Sequence, residues 1–127
     1  MLPDELTYTD GAQIACGFGT VYEGLDRIGI SGQDSVLVLG LGPVGLAALQ
    51  IAKAMGAHQL IGIDINQDRL ELAKSLGIVH HTFLAGADNV QQVKDLTNGH
   101  GCEKTVDCTG NHIARKTCID AARQVIC

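Results

Sequence analysis

The strongest signal in this 127-residue sequence is the stretch Ser35-Val-Leu-Val-Leu-Gly-Leu-Gly-Pro-Val-Gly45. An apolar helical segment follows it as far as Met55, and a second apolar run ends at Ile63-Asp64. The spacing G-x-G-x-x-G is weak evidence alone. Preceded by a strand-like run, followed by a helix and closed by an acidic residue, it is specific for a dinucleotide-binding βαβ unit. The stretch therefore predicts a protein that holds a dinucleotide.

Each residue of this turn has a physical role in the prediction. Gly40 ends a buried strand and allows a sharp turn, and Gly42 has no side chain to keep a pyrophosphate away from the backbone. Gly45 lets the helix pack close to the strand, while Pro43 suits a first helical turn that needs no donor from it. The N–H groups at the start of this helix that lack intrahelical partners are expected to face the phosphates, aided by the helix dipole.

Asp64 is predicted to select the cofactor. A carboxylate at the end of the second strand can accept both hydroxyls of an adenosine ribose, and it repels a 2′-phosphate. Arg69 lies within reach of the same corner and favours the opposite preference, but the acid is present, so we predict NAD rather than NADP. The alternative is that Asp64 is only a turn residue or helix cap; Asn66 already supplies such a cap.

Composition narrows the class of protein. The length suits one domain, and a core of Val, Ile, Leu and Ala without Trp suits parallel strands buried under helices. A net charge of −5 without a basic cluster predicts neither nucleic-acid nor membrane binding. Because no apolar run approaches the roughly 20 residues of a membrane span and no leader precedes the domain, we expect a cytoplasmic protein. The five cysteines lack C-x-x-C spacing, so most are expected to be reduced and buried.

Strand-like and helical runs alternate along the chain, which predicts an α/β fold: a Rossmann-type, doubly wound parallel sheet in a three-layer α/β/α arrangement. The elements predicted after the first unit are a helix over 66–76, a strand over 78–83, a helix from Asp88 or Asn89, a strand over 104–108, a helix over 113–122 and a strand beginning at 124. A complete fold of this type has six strands. We therefore expect an incomplete sheet of four to five strands, truncated at its carboxyl end, in a fragment of a longer protein.

The residues before the sheet, 1–31, are predicted to form a helical lead-in to the dinucleotide-binding domain over 32–127. Five apolar residues share one helical face: Ile14, Phe18, Val21, Leu25 and Ile28. The opposite face carries Cys16, Thr20, Glu23 and Arg27. Since cysteine is usually buried, Cys16 is expected to point into a cleft or against another domain, or else to fill space under another part of the protein.

Several ordered motifs together resemble the zinc-containing alcohol dehydrogenases of the medium-chain dehydrogenase/reductase family. They are the run Ala15-Cys-Gly-Phe-Gly-Thr-Val-Tyr22, the lead-in Ser31-Gly-Gln-Asp-Ser35, the glycine turn, and Asp64 with Arg69. The resemblance covers nearly the whole chain, as the cofactor-binding half of such an enzyme. It implies an NAD-linked enzyme with a small-molecule alcohol or polyol as substrate, forming a homo-oligomer when intact.

The resemblance also assigns roles to residues. It implies that Cys16 is the last cysteine ligand of the family's catalytic zinc and that Thr20 lies beside the nicotinamide ring. It sets the turn Gly42-Pro43-Val44 under the pyrophosphate, Asp64 and Arg69 at the ribose, and Cys108-Thr109-Gly110 at a wall near the adenosine.

The zinc assignment is incomplete within this chain. The family's other catalytic ligands, a cysteine and a histidine, come from a preceding domain, so we expect no zinc site in this chain alone. Four histidines lack paired helical spacing and are interpreted as surface or packing residues: His80, His81, His100 and His112. In the family's polyol and threonine dehydrogenases, a glutamate often stands at the position of Cys16. The cysteine in this chain therefore favours a simple alcohol as the substrate. The alternatives are a zinc-free reductase of the same superfamily and a non-catalytic NAD-binding module.

Overall fold

The computed structural model describes residues 1–124. In chain order its elements are α1 (Tyr8–Ala12), a π-helical segment (Gln13–Phe18), α2 (Gly19–Ile28), β1 (Ser35–Leu39), α3 (Pro43–Ala54), β2 (Gln59–Asp64), α4 (Gln67–Ser75), β3 (His81–Leu84), α5 (Asn89–Leu96), β4 (Lys104–Asp107) and α6 (His112–Ala121). No helix in this part of the chain is long and apolar enough to cross a membrane.

The strands form one parallel sheet in the order β3-β2-β1-β4. Val36 of β1 lies opposite Leu60 of β2 on one side and Lys104 of β4 on the other. The order reverses after β3, because the chain returns across the sheet to place β4 beside β1. This reversal brings the carboxyl ends of β1 and β4 together, which is where open α/β sheets bind ligands.

Helices cover both faces of the sheet, and alternate residues of β1 supply the two cores. One core contains Val36 and Val38 with residues of α2, α3 and α4, and the other contains Leu37 and Leu39 with residues of α5 and α6. All of β1 is buried because helices lie on both its faces and strands on both its edges. The predicted three-layer α/β/α arrangement with an incomplete parallel sheet is confirmed.

The third strand starts later than predicted, at His81 rather than at residue 78. Gly77 takes a left-handed conformation at the end of α4, and the N–H of Ile78 then bonds back to the Ala73 carbonyl. His80 enters the sheet in an unusual way, because its N–H donates to the Leu60 carbonyl while its Nδ1 accepts from the Leu60 N–H at 2.9 Å. A side chain therefore replaces the backbone acceptor before β3 begins.

The helix starts depend on polar residues, with one difference from the prediction. Asn66 caps α4 as predicted, accepting from the N–H groups of Asp68 and Arg69. Asp88 makes no capping hydrogen bond to α5; the side chain of Asn89 instead accepts from the Gly86 N–H and donates to the Leu84 carbonyl. That side chain closes the β3–α5 turn rather than the helix.

The carboxyl end of the described chain is only partly as predicted. The last helix spans His112–Ala121, and after it Cys102 and Ala122 form an isolated parallel bridge. Gln124 is not in a strand, and the rest of the predicted fifth strand lies outside the described residues. Two backbone hydrogen bonds hold the segment before β4 against the segment after α6. The Cys102 N–H donates to the Ala121 carbonyl at 2.9 Å, and the Arg123 N–H donates to the Cys102 carbonyl at 2.7 Å.

The amino-terminal segment is not the single regular helix that the spacing predicts. The Gly19 N–H donates to the Ile14 carbonyl five residues back, which defines the π-helical segment between α1 and α2. The wider turn breaks the constant helical spacing, and two of the five residues predicted to share an apolar face are exposed, Ile14 by 49% and Ile28 by 41%. Val21 and Leu25 are buried in the same core as residues of α3 and β1, so this segment packs directly on the dinucleotide-binding fold. The domain boundary at residue 31 stays a prediction.

Candidate functional site

The candidate site is the crevice at the adjoining carboxyl ends of β1 and β4. The Gly40 N–H donates to the Ile63 carbonyl of β2, and the Cys108 N–H donates to the Leu39 carbonyl of β1, each at 2.8 Å. The turns that leave β1 and β4 therefore begin side by side. Gly40 has φ +86°, and a Cβ there would lie 2.8 Å from the methyl carbon of Thr109. The two turns are in contact, and only glycine fits between them.

Gly45 brings the start of α3 against the end of β1. A Cβ at Gly45 would lie 1.7 Å from the carbonyl oxygen of Gly40, which is far inside contact distance. The predicted close packing of helix on strand is therefore a property of the structure. Its consequence is that the N-terminus of α3 is held directly at the mouth of the crevice.

The N-terminus of α3 has the features of an anion-binding site. Gly42 is the N-cap residue and provides no side-chain cap, Pro43 occupies the first turn, and Val44 is 44% exposed. The nearest atom that a Cβ at Gly42 would meet is Nη1 of Arg69, at 4.0 Å. The space beside Gly42 is thus open, and the first-turn N–H groups and the helix dipole are directed toward it. The residues present fit a dinucleotide pyrophosphate.

Asp64 stands at the end of β2, beside this turn, and is only 4% exposed. Its Oδ2 accepts from the Leu41 N–H at 2.6 Å and its Oδ1 from the Asn66 N–H at 2.8 Å. The carboxylate thus joins the glycine turn to the β2–α4 turn, a structural role that the alternative interpretation anticipated in part. Each carboxylate oxygen has a second lone pair, so the group retains acceptor capacity for a ribose.

Arg69 lies over the same corner. Its Nη1 is 3.7 Å from Oδ2 of Asp64, and its side chain is 51% exposed. A guanidinium this exposed can turn away from Asp64 at little cost, because partly solvated ion pairs contribute about 1 kcal/mol or less. The predicted pair of Asp64 and Arg69 is therefore brought together by the fold, with Arg69 covering the carboxylate.

The turn after β4 is organised by Asp107, a residue that the sequence analysis did not single out. Its Oδ1 accepts from Thr109 twice, from the N–H at 2.9 Å and from the hydroxyl at 2.6 Å. Arg115 approaches Oδ2 at 3.7 Å. Partial burial raises the pKa of the Asp107 carboxyl, but the hydrogen bonds from Thr109 and the charge of Arg115 outweigh burial and leave that pKa below its usual value. The signal available in the sequence was an Asp-x-Thr spacing, which is typical of Asx turns.

Comparisons with known proteins agree with this geometry. A family model described as zinc-binding dehydrogenase matches residues 43–124. The chain belongs to this family.

Relatives of this family share most of the chain. YphC of Escherichia coli, described as an uncharacterized zinc-type alcohol dehydrogenase-like protein, is 48% identical over 116 residues, which are 91% of this chain and 33% of that protein. The sorbitol dehydrogenase of Bacillus subtilis is 31% identical over 124 residues, 98% of this chain and 35% of that protein. The chain thus spans about a third of the length of these curated relatives.

A solved structure of the family superposes closely. The benzyl alcohol dehydrogenase of Acinetobacter calcoaceticus matches with a TM-score of 0.87 and 30% sequence identity, over 96% of this chain and 34% of that protein. The resemblance to zinc-type alcohol dehydrogenases that the motifs indicated is confirmed.

The two residues that the zinc-binding dehydrogenase resemblance puts nearest the chemistry lie on the amino-terminal helices. Cys16 is in the π-helical segment and Thr20 is in α2, and both are exposed. The π-helical segment and α2 both pack on α3, the helix that begins at the glycine turn. Cys16 and Thr20 therefore lie on the same face of the sheet as α3. Among residues 1–124, no three His, Cys, Asp or Glu side chains converge as metal ligands. The residues present do not fit a zinc site, and the role of Cys16 stays a prediction.

The other candidate side chains have structural surroundings. Burial raises the pKa of Cys108, at the crevice wall, to about 11 and that of Cys102 to about 12, so both thiols are protonated at neutral pH. The four described cysteines are unbridged. Cys102 and Cys118 are buried as expected, whereas Cys16 is exposed and Cys108 is half-buried, and Cys127 lies outside the described residues. His80 bonds to Leu60, in agreement with the interpretation of this histidine as a packing residue.

Proposed function

We propose that this chain is the NAD-binding domain of a zinc-dependent alcohol or polyol dehydrogenase, an enzyme that transfers hydride between an alcohol and NAD. The observation that carries the proposal is the open space beside Gly42. It lies at an uncapped helix N-terminus, at the point where the strand order reverses. The names of the sorbitol and benzyl alcohol dehydrogenases support a small alcohol or polyol as substrate of the intact enzyme.

The chain's own residues would bind and orient the cofactor. First-turn N–H groups of α3 would hold the pyrophosphate, with Gly42 allowing close approach. Asp64, already anchored by the Leu41 and Asn66 N–H groups, would accept from the ribose hydroxyls through its remaining lone pairs. The two backbone bonds fix the carboxylate before ligand binds, which reduces the entropy lost on binding.

Charge supports NAD over NADP. Asp64 lies where a 2′-phosphate would approach, and an anchored carboxylate cannot turn aside to admit it. Arg69 offsets part of this repulsion, since its guanidinium is 3.7 Å from the carboxylate. Bound NAD supplies the carbon that accepts the hydride, and we expect Thr20 to lie beside the nicotinamide.

Calorimetric titration of the 127-residue chain with NAD and with NADP tests the proposal. We expect NAD to bind roughly tenfold or more tightly than NADP, because only NADP brings a phosphate against Asp64. Equal affinity for the two nucleotides would overturn the ribose assignment, and no binding of either would overturn the proposed function.

A glycine substitution locates the binding site. Gly42→Ala should weaken NAD binding by roughly tenfold or more, because the added methyl occupies the pyrophosphate space, while the free energy of unfolding falls by less than about 1 kcal/mol. Gly32→Ala is the matched control. It lies before β1 at the opposite end of the sheet, and its Cβ would meet only the Gly56 carbonyl oxygen, at 3.7 Å. Similar NAD affinities for the two variants would contradict binding at the α3 N-terminus.

A further inference from the structure

The turn after β4 contains a network of hydrogen bonds around Thr109, whose methyl group lies against the glycine turn. Asp107 has a side chain only 16% exposed, and its Oδ1 holds both the N–H and the hydroxyl of Thr109. The two bonds fix the backbone and the side chain of Thr109 together. A single carboxylate therefore determines how the chain turns as it leaves the strand.

Thr109 in turn contacts two neighbouring parts of the structure, the start of α6 and Gly40. Its Oγ1 accepts from the Asn111 N–H at 3.0 Å, and Asn111 in turn caps α6 through the Ile113 N–H at 2.8 Å. Its methyl group lies against Gly40, where an added Cβ would be 2.8 Å away. The conformation of Thr109 thus bears on the start of α6 and on the turn that precedes the α3 N-terminus.

We infer that Asp107 is a positioning residue for the dinucleotide, holding Cys108-Thr109-Gly110 as a rigid wall of the crevice against Gly40. The inference rests on the proposed function, since it needs a nucleotide in that crevice. Asp107 acts through Thr109 and through the wall. Arg115 supports it from solvent, with a side chain 65% exposed beside Oδ2.

Glu103 provides a matched control at the other end of the same strand. It precedes β4, its Oε2 accepts from the Ser35 N–H at 2.7 Å, and its Oε1 accepts from Arg123 at 3.1 Å. Glu103 and Asp107 are both carboxylates held between a backbone or hydroxyl donor and an arginine. Only Asp107 is at the carboxyl end of the sheet, so a merely structural role predicts similar effects of the two and a positioning role does not.

The test measures the Kd for NAD in the full chain, at temperatures where far-UV circular dichroism shows each variant to be folded. Asp107→Ala should raise the Kd by roughly tenfold, since it releases both bonds to Thr109. Asp107→Asn keeps an oxygen acceptor for Thr109 and should raise the Kd by less. Thr109→Val keeps the bulk beside Gly40 but removes the hydroxyl, and it should also raise the Kd. Glu103→Ala should leave the Kd within about twofold.

A second measurement follows the wall itself. Amide hydrogen exchange at Thr109 and Asn111 should accelerate in Asp107→Ala and remain unchanged in Glu103→Ala, because their N–H groups are bonded within the network.

Different outcomes separate this inference from the proposed function. Failure of the unsubstituted chain to bind NAD overturns both. If the unsubstituted chain binds NAD, an unchanged Kd in Asp107→Ala and Thr109→Val overturns the inference alone, as does an equal rise in Glu103→Ala. Should Asp107→Ala fail to fold, Asp107→Asn and Thr109→Val decide.

Discussion

The turn after β1 and the turn after β4 leave the same edge of the sheet, yet they are built by opposite means. Both contain a glycine with positive φ, +86° at Gly40 and +67° at Gly110, and both lead into a helix. The first turn requires glycine at two positions, because Cβ atoms at Gly40 and Gly45 would collide with neighbouring atoms. The second depends on polar side chains, those of Asp107, Thr109 and Asn111.

The difference follows from burial. At Gly40 and Gly45 the first turn is enclosed by neighbouring backbone and side chains, so no room is left for added atoms, and the turn is open only beside Gly42. The second turn is exposed at Thr109 and Gly110, and no atom lies within 4 Å of a Cβ built on Gly110. Because few atoms pack against this turn, side-chain hydrogen bonds hold its backbone conformation. We therefore expect substitutions in the first turn to act through steric overlap and those in the second through lost hydrogen bonds.

The largest expected effect is that of Gly45→Ala. The methyl group would overlap the Gly40 carbonyl oxygen at 1.7 Å, so α3 must move away from β1, at a cost of about 3 kcal/mol or more. Urea denaturation followed by circular dichroism measures the loss. A free energy of unfolding equal to that of Gly32→Ala would show that the contact between helix and strand is not tight.

Alanine substitutions at Gly40 and Gly110, which both have positive φ, should lower the free energy of unfolding by an intermediate amount. They compare the two turns most directly. Gly110→Ala should cost about 1 to 2 kcal/mol, from backbone conformation alone. Gly40→Ala carries the same conformational cost and adds overlap with the Thr109 methyl and the Cys108 carbonyl, which should cost about 1 kcal/mol more.

Thermal and urea unfolding of the two variants measure the difference. Combining Gly40→Ala with Thr109→Ser removes the methyl at 2.8 Å and should recover part of the loss. Equal destabilisation by Gly40→Ala and Gly110→Ala would remove the proposed distinction between the turns.

The smallest effect is expected at the start of α6. Asn111→Ala removes the acceptor for the Ile113 N–H and should lower the free energy of unfolding by about 1 kcal/mol. Asn111→Ser, which retains a capping oxygen, should recover most of this loss in the same urea titration. If alanine and serine at this position are equally stable, side-chain capping does not organise the second turn.

Sequence reasoning succeeded where structure depends on neighbours along the chain. The glycine turn, the cap at Asn66 and the alternation of strands and helices were all predicted, because glycine and capping residues act on backbone within a few positions. It failed at the start of β3, where the His80 side chain takes the place of a backbone acceptor. It also failed at residues 13–18, because helical spacing assumes a constant turn and the π-helical segment changes it.

The amino-acid pattern alone was sufficient to indicate a parallel α/β fold and to predict a dinucleotide crevice, since both depend on local backbone requirements and on their order in the chain. The zinc-type dehydrogenase family was indicated separately, by the resemblance of several ordered motifs. Tertiary structure was needed to show that Asp64 bonds to the Leu41 N–H and that Thr109 lies against Gly40. These partners are distant in sequence and meet only when the sheet forms. Their contacts depend on the orientation of polar side chains toward backbone groups, which hydropathy and spacing do not encode.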